Sequence, residues 1–511
     1  MSSSQPPNII IIGGGFAGVS AARVFFKHGS KVAVTLLDKK ATSDFLPLLP
    51  DTIGRGINPG FLQYPLAALS KKLGFAFLNE EVVSVSLAPK EVVTSLARYL
   101  YDYLVIASGS ETNFYGNSNI RDNAYKVDGA SDVVRFIQGV KERKPEVFII
   151  GGGGYTGIEM ATNLRVLLDK NNRKGSIIIV ERAPSILGPL PEWMKQFVGK
   201  NLKKLDIEVL VNSGIEKIEG GRVSVGKERI FERAVVVWAA GVRTAGFIQN
   251  LPVEKNPQGR IKADEFLRVD PCCFVAGDAS YFSFQNSFLR MSIQFAITQG
   301  LCAAGNIMRS IHGVPLQPFV PRDPGYIVPM ANNKSCGVVL GMDLKGRVPT
   351  FLHFFMCIYR SCGIRNKTGI IRGLLTGEGT MIDAGILVLR LGLGFMFFAH
   401  GLQIALGRLG GPGVNGFAGF LSKLGFLHPV AWAYVAGYTV LIGGLMVMFG
   451  VAVRIASVFL LIFITTAAVS VHLSKGFFIT AGGFEYNFII ACACVTLILA
   501  GPGKFSVVKK L

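Results

Sequence analysis

Two glycine-rich turns, each placed directly after an apolar strand, constrain this chain more than any other feature. The first is Asn8-Ile9-Ile10-Ile11-Ile12-Gly13-Gly14-Gly15-Phe16-Ala17-Gly18. The second is Val147-Phe148-Ile149-Ile150-Gly151-Gly152-Gly153-Gly154-Tyr155-Thr156-Gly157. Each reads as a buried strand that breaks into a tight turn and opens a helix, so that backbone N–H groups reach a pyrophosphate at the positive helix end. Each is followed by a second apolar strand ending in an acid: Val32 to Leu37 then Asp38, and Ile177 to Val180 then Glu181. An acid there is placed to hydrogen-bond ribose hydroxyls. One such turn is weak evidence. Two complete strand–turn–helix–strand–acid units predict two dinucleotides and electrons passing between them.

At 511 residues the chain is too long for one domain and should hold three or so. Half of its residues are hydrophobic, and the excess lies late, in stretches from about Ile382 to Leu406, Val430 to Val453, Ile455 to Val471 and Tyr486 to Ala500. Each is read as a membrane-spanning helix, the last two near the lower length limit. The net charge of +20 is assigned to anionic lipid rather than nucleic acid, because Arg347, Arg360, Arg365, Lys367 and Arg372 gather just before the first span. A basic flank of this kind faces the cytoplasm, and four spans return Lys504, Lys509 and Lys510 to the same side. Met1 to Pro7 lack a charged and apolar signal region. The expectation is an inner-membrane protein, multi-pass at its C-terminus, with its first half in the cytoplasm. The eight cysteines form no CxxC pair and read as free thiols.

The first unit ends in the strand Tyr103-Leu104-Val105-Ile106-Ala107-Ser108-Gly109, and the second ends likewise in Val235-Val236-Val237-Trp238-Ala239-Ala240-Gly241. The chain then re-enters the first domain through Cys273-Phe274-Val275-Ala276-Gly277-Asp278-Ala279, so the second unit is inserted in the first. The expected fold is α/β: two Rossmann-like dinucleotide-binding domains, one inserted in the other, followed by an all-α four-helix transmembrane domain.

These motifs carry a family resemblance. Phe45-Leu46-Pro47-Leu48-Leu49, Leu104 to Asn113, Gly152-Gly153-Gly154-Tyr155-Thr156-Gly157-Ile158-Glu159, Trp238-Ala239-Ala240-Gly241-Val242 and Gly277-Asp278-Ala279 resemble, in order, type II NADH:quinone oxidoreductases. These are single-chain, non-proton-pumping flavoproteins. Residues 380–511 resemble the DoxX membrane proteins, through Arg390-Leu391-Gly392-Leu393-Gly394, His400-Gly401-Leu402-Gln403, Gly443-Gly444, Gly476-Phe477-Phe478, Gly482-Gly483-Phe484-Glu485-Tyr486 and Gly501-Pro502-Gly503. That second resemblance implies an architecture more than a chemistry.

The first resemblance implies an FAD domain over 8–113 and 262–335, an NADH domain over 114–261 and a membrane-associating segment over 336–376, with the DoxX-like domain over 380–511. It assigns FAD to Gly13, Gly15, Phe16, Ala17, Gly18, Asp38, Lys39, Leu48, Val83, Ala107, Ser108, Gly109, Gly277 and Asp278. NADH falls to Gly152, Gly154, Tyr155, Thr156, Gly157, Glu181, Ala240 and Gly241. Glu181 favours NADH over NADPH, because a carboxylate repels a 2′-phosphate. Glu159 is placed to position the nicotinamide. On the quinone-side helix, Gln294, Thr298 and Gln299 take catalytic positions, Thr298 standing where the family has glutamine.

Quinone is the expected acceptor, since residues 30 to 270 contain no cysteine for a disulfide reductase or a sulfide:quinone enzyme. A sulfide or thiosulfate:quinone oxidoreductase and a membrane-anchored redox sensor are the alternatives. Partners are lipid, quinone and NADH, without nucleic acid, and a homodimer is left open. Arg390, His400, His472 and Glu485 lie at membrane depth, where polar groups default to function. They read as interhelical hydrogen-bonding groups rather than a metal site.

Overall fold

The computed structural model describes residues 6–27, 31–285, 287–375, 380–503 and 505–507; Lys504, Lys509 and Lys510 lie outside them. The chain divides into two compact units, Met1–Leu374 and Leu375–Leu511.

In the first unit the run Asn8–Ile12 becomes the centre of a six-stranded sheet. The strand order is Arg268–Asp270, Cys273–Val275, Tyr103–Ile106, Asn8–Ile12, Ala33–Leu37, Ala76–Leu78. All neighbours are parallel except the first pair. Parallel strands are covered on both faces, which is why Ile9, Ile10, Ile11 and Ile12 are at most 3% exposed. Burying each such side chain contributes about 1.5–3 kcal/mol. A second, wholly parallel sheet runs Ile207–Leu210, Ser176–Val180, Val147–Gly151, Ala234–Trp238. The segments joining the two sheets, Ser110–Thr112 and Val242–Thr244, pair antiparallel with each other.

Helix Phe16–Lys27 packs on helix Ile293–Ile311 through small residues, Ala17, Ala21 and Ala22 against Gly300, Ala303 and Ala304. The approach is so close that a Cβ on Gly300 would lie 2.1 Å from the Ala17 carbonyl oxygen. Beyond this helix the strands Gly325–Val328, Ser335–Val339 and Met342–Gly346 form an antiparallel sheet, followed by helices Arg347–Arg360 and Ile364–Leu375. The expected boundary between residues 335 and 336 cuts through a ladder strand, so the amphipathic segment begins at Arg347. Ladder hydrogen bonds bind residues 335–346 to the sheet.

The second unit holds helices Thr380–Leu406, Gly413–Lys423, Pro429–Phe449, Val453–Ala467 and Glu485–Ala500. Thr380–Leu406 and Pro429–Phe449 meet at glycines: a Cβ on Gly394 would lie 2.7 Å from the Gly444 carbonyl oxygen, and one on Gly444 would lie 2.5 Å from the Phe398 nitrogen. Small residues at a crossing are how apolar helices associate without a hydrophobic drive. Among the described residues, three helical stretches are long and apolar enough to cross a membrane: Ile382–Leu406, Pro429–Phe449 and Val453–Lys475. The fourth expected span is shorter. Glu485–Ala500 has 16 residues, which at about 1.5 Å each falls short of the ~30 Å hydrocarbon core. Arg390, 1% exposed, donates to the carbonyls of Val447 (3.0 Å), Phe505 (3.1 Å) and Met448 (3.3 Å) and to that of Pro502. Its guanidinium closes helix ends and ties three segments together.

Candidate active site

The two glycine turns have the same construction. Gly13 (φ +108°) and Gly152 (φ +111°) adopt a backbone conformation that suits glycine, with the next strand's exit beneath them. A Cβ on Gly13 would strike the Ala107 carbonyl oxygen at 2.3 Å, and one on Gly152 the Ala239 carbonyl oxygen at 2.7 Å. Gly18 and Gly157 are equally confined: a Cβ on either would lie 1.9 Å from the carbonyl oxygen of Gly13 or Gly152. At Gly15 and Gly154 nothing lies within 4 Å. Each turn is thus closed toward the sheet and open at its rim, where helix N–H groups face outward for an anion.

Both strand-end acids brace the turns. Asp38 accepts from the Gly14 N–H (2.6 Å) and the Lys40 N–H (2.7 Å), and Glu181 accepts from the Gly153 N–H (2.7 Å) and the Ala183 N–H (2.8 Å). Burial raises the Asp38 carboxyl, and these N–H groups with Lys40 and Lys39 partly offset it. Lys39 itself lies between Glu81 (3.6 Å) and Glu111 (3.7 Å) at the rim. Val83 sits at an irregularity in the ladder of Val82–Ser86, out of register, with its side chain 56% exposed.

Around the first turn, Phe16 packs edge-to-face on Phe45 at 5.6 Å, and Ala17 is buried against helix Ile293–Ile311. The Ser108 hydroxyl is buried without a hydrogen-bond partner, and Gly109 (φ +69°) has open space where a Cβ would stand. Asp278 accepts from the Ser110 hydroxyl at 2.8 Å; burial raises its carboxyl, offset by Ser110 and Arg260. An orphaned hydroxyl, an open cradle and a carboxylate at a strand exit fit a dinucleotide with a ribityl chain.

Leu48 differs from its expected place. Its side chain is fully buried among Phe45, Leu49 and Ile53, with no accessible surface to offer a ligand. Around the second turn, Thr156 is exposed at the rim, while the Tyr155 hydroxyl is buried without a partner and its acidity is suppressed by that burial. Gly241 (φ +98°) accepts from the Asn113 N–H at 3.1 Å, beside Ala240, and fixes the crossover between the sheets.

The three residues expected on the quinone side separate. Gln299 is 2% exposed and its side-chain oxygen accepts from the Gly277 N–H at 2.8 Å, so it holds the turn that carries Asp278. It is a positioning residue. Thr298 bonds back into its own helix, donating to the Gln294 carbonyl at 2.9 Å. Gln294 reaches the C-terminal helices: its side-chain oxygen accepts from Arg360.

A buried polar cluster joins the two halves of this unit, and its members are scattered in sequence. Helix Leu49–Arg55 packs on helix Tyr155–Lys170 at Gly54, where a Cβ would lie 2.6 Å from the Asn163 carbonyl oxygen. Asp51, 4% exposed, pairs with Arg55 at 2.9 Å. Arg55 donates to Ala331 (3.0 Å) and Asn333 (2.9 Å) and lies 4.6 Å over the Phe354 ring. Glu159 projects here from the second turn's helix and makes no side-chain hydrogen bond among the described residues. Burial, with the Asp51 carboxylate nearby, pushes its carboxyl well above the usual range. Burial raises the Asp51 carboxyl too, but Arg55 beside it offsets that in part, whereas Glu159 has no cation to do so. His353 is held down to about 4 by burial and by Arg55, and its Nε2 lies 3.7 Å from the Cys357 thiol, which burial pushes up. Asp51, Arg55, His353, Cys357 and Arg360 were not expected here. The Asp51–Arg55 spacing of one helical turn was the single sequence sign available.

All eight cysteines are free thiols, and among the described residues no group of His, Cys, Asp or Glu is arranged to hold a metal ion.

Residues 7–300 match the pyridine nucleotide-disulphide oxidoreductase family, and residues 385–473 match the DoxX family. The chain is 26% identical over 372 residues to the type II NADH:quinone oxidoreductase of Staphylococcus saprophyticus, and 25% identical to that of Staphylococcus aureus. Each alignment covers 67% of this chain and 92% of the relative. The fold is similar to that of NDH2 from Plasmodium falciparum solved in complex with NADH (TM-score 0.64, 18% identity, 72% of this chain and 97% of that one). It is also similar to the sulfide:quinone oxidoreductase of Aquifex aeolicus (TM-score 0.61, 17% identity, 74% and 95%).

Proposed function

The chain belongs to the pyridine nucleotide-disulphide oxidoreductase family, and from that premise we propose that it is a membrane-bound, FAD-dependent NADH:quinone oxidoreductase that pumps no protons. One observation carries the reading: a single compact unit contains two cradles built alike, open at Gly15 and Gly154, each braced by its own acid. Two cradles serve two dinucleotides. FAD takes the first, over residues 8–113 and 262–335, and NADH the second, over 114–261. The relatives' shared name supplies the acceptor class, quinone.

When bound, FAD accepts a hydride and releases electrons singly or in pairs. The chain's own residues orient the reactants and exclude water. Asp38 and Glu181 hold the phosphate turns in shape and present their free faces to ribose hydroxyls. Gln299 fixes Gly277, and through it Asp278. Glu159, its carboxyl raised by burial and by Asp51, is a group that can hold a proton beside the site; a quinone reduced to a quinol takes up two electrons and two protons. Gln294, tied to Arg360, stands where helix Ile293–Ile311 meets the C-terminal helices of this unit.

Those helices support membrane contact. Val348, Phe351, Phe355 and Tyr359 are each more than half exposed along one side of Arg347–Arg360, and Ile364 is 81% exposed. Arg365, Lys367 and Arg372 follow, a cationic flank for lipid head groups. The DoxX-like unit anchors the protein as a multi-pass domain, with the flavoprotein unit on the cytoplasmic side of the inner membrane.

Anaerobic flavin absorbance tests the proposal. NADH should bleach the flavin and a quinone should restore it, whereas sulfide should leave it oxidised. Bleaching by sulfide but not by NADH would transfer the protein to the sulfide-oxidising alternative.

A further inference from the structure

The second unit contains a cavity of about 270 Å³ that the NADH:quinone reaction does not use. Its wall is mostly apolar, with Met396, Phe397, Phe463 and Ile490 prominent, and includes no Asp, Glu, Lys or Arg side chain. Four residues with polar side-chain atoms interrupt it, His400, His472, Tyr486 and Asn487, of which Tyr486 is 47% exposed. Helix bundles place ligand sites in such interhelical spaces, with a few polar groups fixing orientation.

Asn487 is the decisive member. It is 7% exposed, and its side-chain amide makes no hydrogen bond among the described residues. An amide that borders the cavity wall in an apolar helix bundle offers a ligand both a donor and an acceptor. His472 adds direction. It ends a π-helical turn, Ala468–His472, a distortion that often accompanies functional sites. Its Nδ1 lies 2.8 Å from the Gly482 carbonyl oxygen. A carbonyl only accepts, so Nδ1 carries the hydrogen, and in the neutral ring Nε2 is left as an acceptor. Glu485 does not compete, since its carboxylate accepts from the Ile479 N–H at 3.0 Å.

We propose that this cavity binds an uncharged, lipid-soluble ring bearing a hydroxyl group, a phenol or quinol, whose O–H donates to His472 and whose oxygen accepts from Asn487. The uncharged wall turns away ions, the apolar lining takes the ring, and the two polar groups demand one donor and one acceptor on the ligand. The inference rests on the membrane placement proposed above, and not on the identity of the flavin's electron acceptor.

The test is photolabelling of the full chain in lipid nanodiscs under anaerobic conditions, mapped by peptide mass spectrometry. Three azido probes are compared: a prenylated benzoquinol, its dimethyl ether and a plain hydrocarbon. The benzoquinol should label peptides within residues 396–404 or 463–490, the dimethyl ether at least about tenfold less, as expected for losing a donor to a buried acceptor. An unlabelled simple phenol that competes equally shows a phenol site; competition by quinol alone shows a quinol site, and both support the proposal. Asn487→Leu should lower this labelling about tenfold while NADH:quinone turnover is unchanged. Equal labelling by ether or hydrocarbon, or labelling confined to the flavoprotein unit, would overturn it. Loss of NADH:quinone turnover with labelling intact would instead count against the proposed enzyme activity alone.

Discussion

Glu181 accepts a hydrogen bond from the Gly153 N–H at 2.7 Å, and Asp38 does the same from the Gly14 N–H at 2.6 Å. In both cradles the acid proposed to read the ribose also braces the turn proposed to hold the phosphates. Specificity and shape are therefore coupled through one carboxylate.

NADH should be preferred to NADPH by at least ~10-fold in kcat/KM, equivalent to about 1.4 kcal/mol. Glu181→Gln keeps an acceptor for Gly153 but removes the charge that repels a 2′-phosphate, so it should narrow the preference while leaving NADH turnover within a few-fold. Equal kcat/KM for the two nucleotides in the unmodified enzyme would show that Glu181 does not read the ribose.

Gly15→Val and Gly154→Val should separate the two cofactors. Nothing lies within 4 Å of a Cβ at either position, so the protein folds around the new side chain, which stands where phosphate must approach. Gly15→Val should purify colourless. Gly154→Val should stay yellow but resist bleaching by NADH. Gly18→Val, by contrast, drives a methyl group into the Gly13 carbonyl and should misfold. A yellow Gly15→Val protein with full flavin content refutes the assignment.

The three helix positions should behave differently. Gln294→Leu leaves Arg360 without its partner and should slow quinone reduction while NADH still bleaches the flavin. Gln299→Leu leaves the buried Gly277 N–H unsatisfied, a cost of about 1–3 kcal/mol, and should weaken flavin retention. Thr298→Val loses only a bond within its own helix and should be nearly silent. Stopped-flow measurement of the two half-reactions separates these outcomes; a slow quinone step in Thr298→Val alone would reverse the ranking.

What the sequence made legible was local. The strand, turn, helix and acid of each cradle follow from contiguous residues, because a glycine turn after an apolar run has few ways to fold. Gln299 was misread because a glutamine at helical spacing can face a substrate or a backbone N–H, and only the packing of Gly277 decides. Leu48 was misread for a similar reason, since a motif beside a ligand also needs core residues. The cluster of Asp51, Arg55, Glu159 and His353 joins three elements far apart in sequence, and beyond the one-turn spacing of Asp51 and Arg55 no periodicity points to it. The last apolar helix was expected to span from Tyr486 to Ala500, near the lower length limit; the helix has those bounds with Glu485 added, and is shorter than the other three stretches.

Two buried groups give the flavoprotein unit opposite pH dependences. The folded protein keeps His353 neutral down to about 4, whereas the unfolded chain protonates it near 6.5. Between those values the unfolded state binds more protons, so stability falls as pH drops from 6.5 toward 4, by about 3 kcal/mol at most. Glu159 acts in reverse. The folded protein keeps its proton above 4.5 where the unfolded chain has lost it, so stability falls as pH rises through that region. His353→Phe should flatten the acid side of a Tm–pH profile and Glu159→Gln the upper side. Unchanged profiles would place both groups in contact with solvent.

The C-terminal helices of the first unit should bind membranes without the helical unit that follows. Residues 1–376 should sediment with vesicles containing anionic lipid, since Phe351, Phe355 and Tyr359 offer apolar area and Arg365, Lys367 and Arg372 offer charge. Each basic residue near such a surface contributes about 1 kcal/mol, and a Debye length of roughly 8 Å at physiological salt makes that part sensitive to ionic strength. Raising salt should therefore weaken binding without abolishing it. Replacing Phe351, Phe355 and Tyr359 together by serine should remove the salt-resistant remainder, and their exposure means the fold tolerates the change. Binding that vanishes in salt before any aromatic is replaced would mean that charge alone holds this face to lipid, and the interfacial role of the helix Arg347–Arg360 would have to be given up.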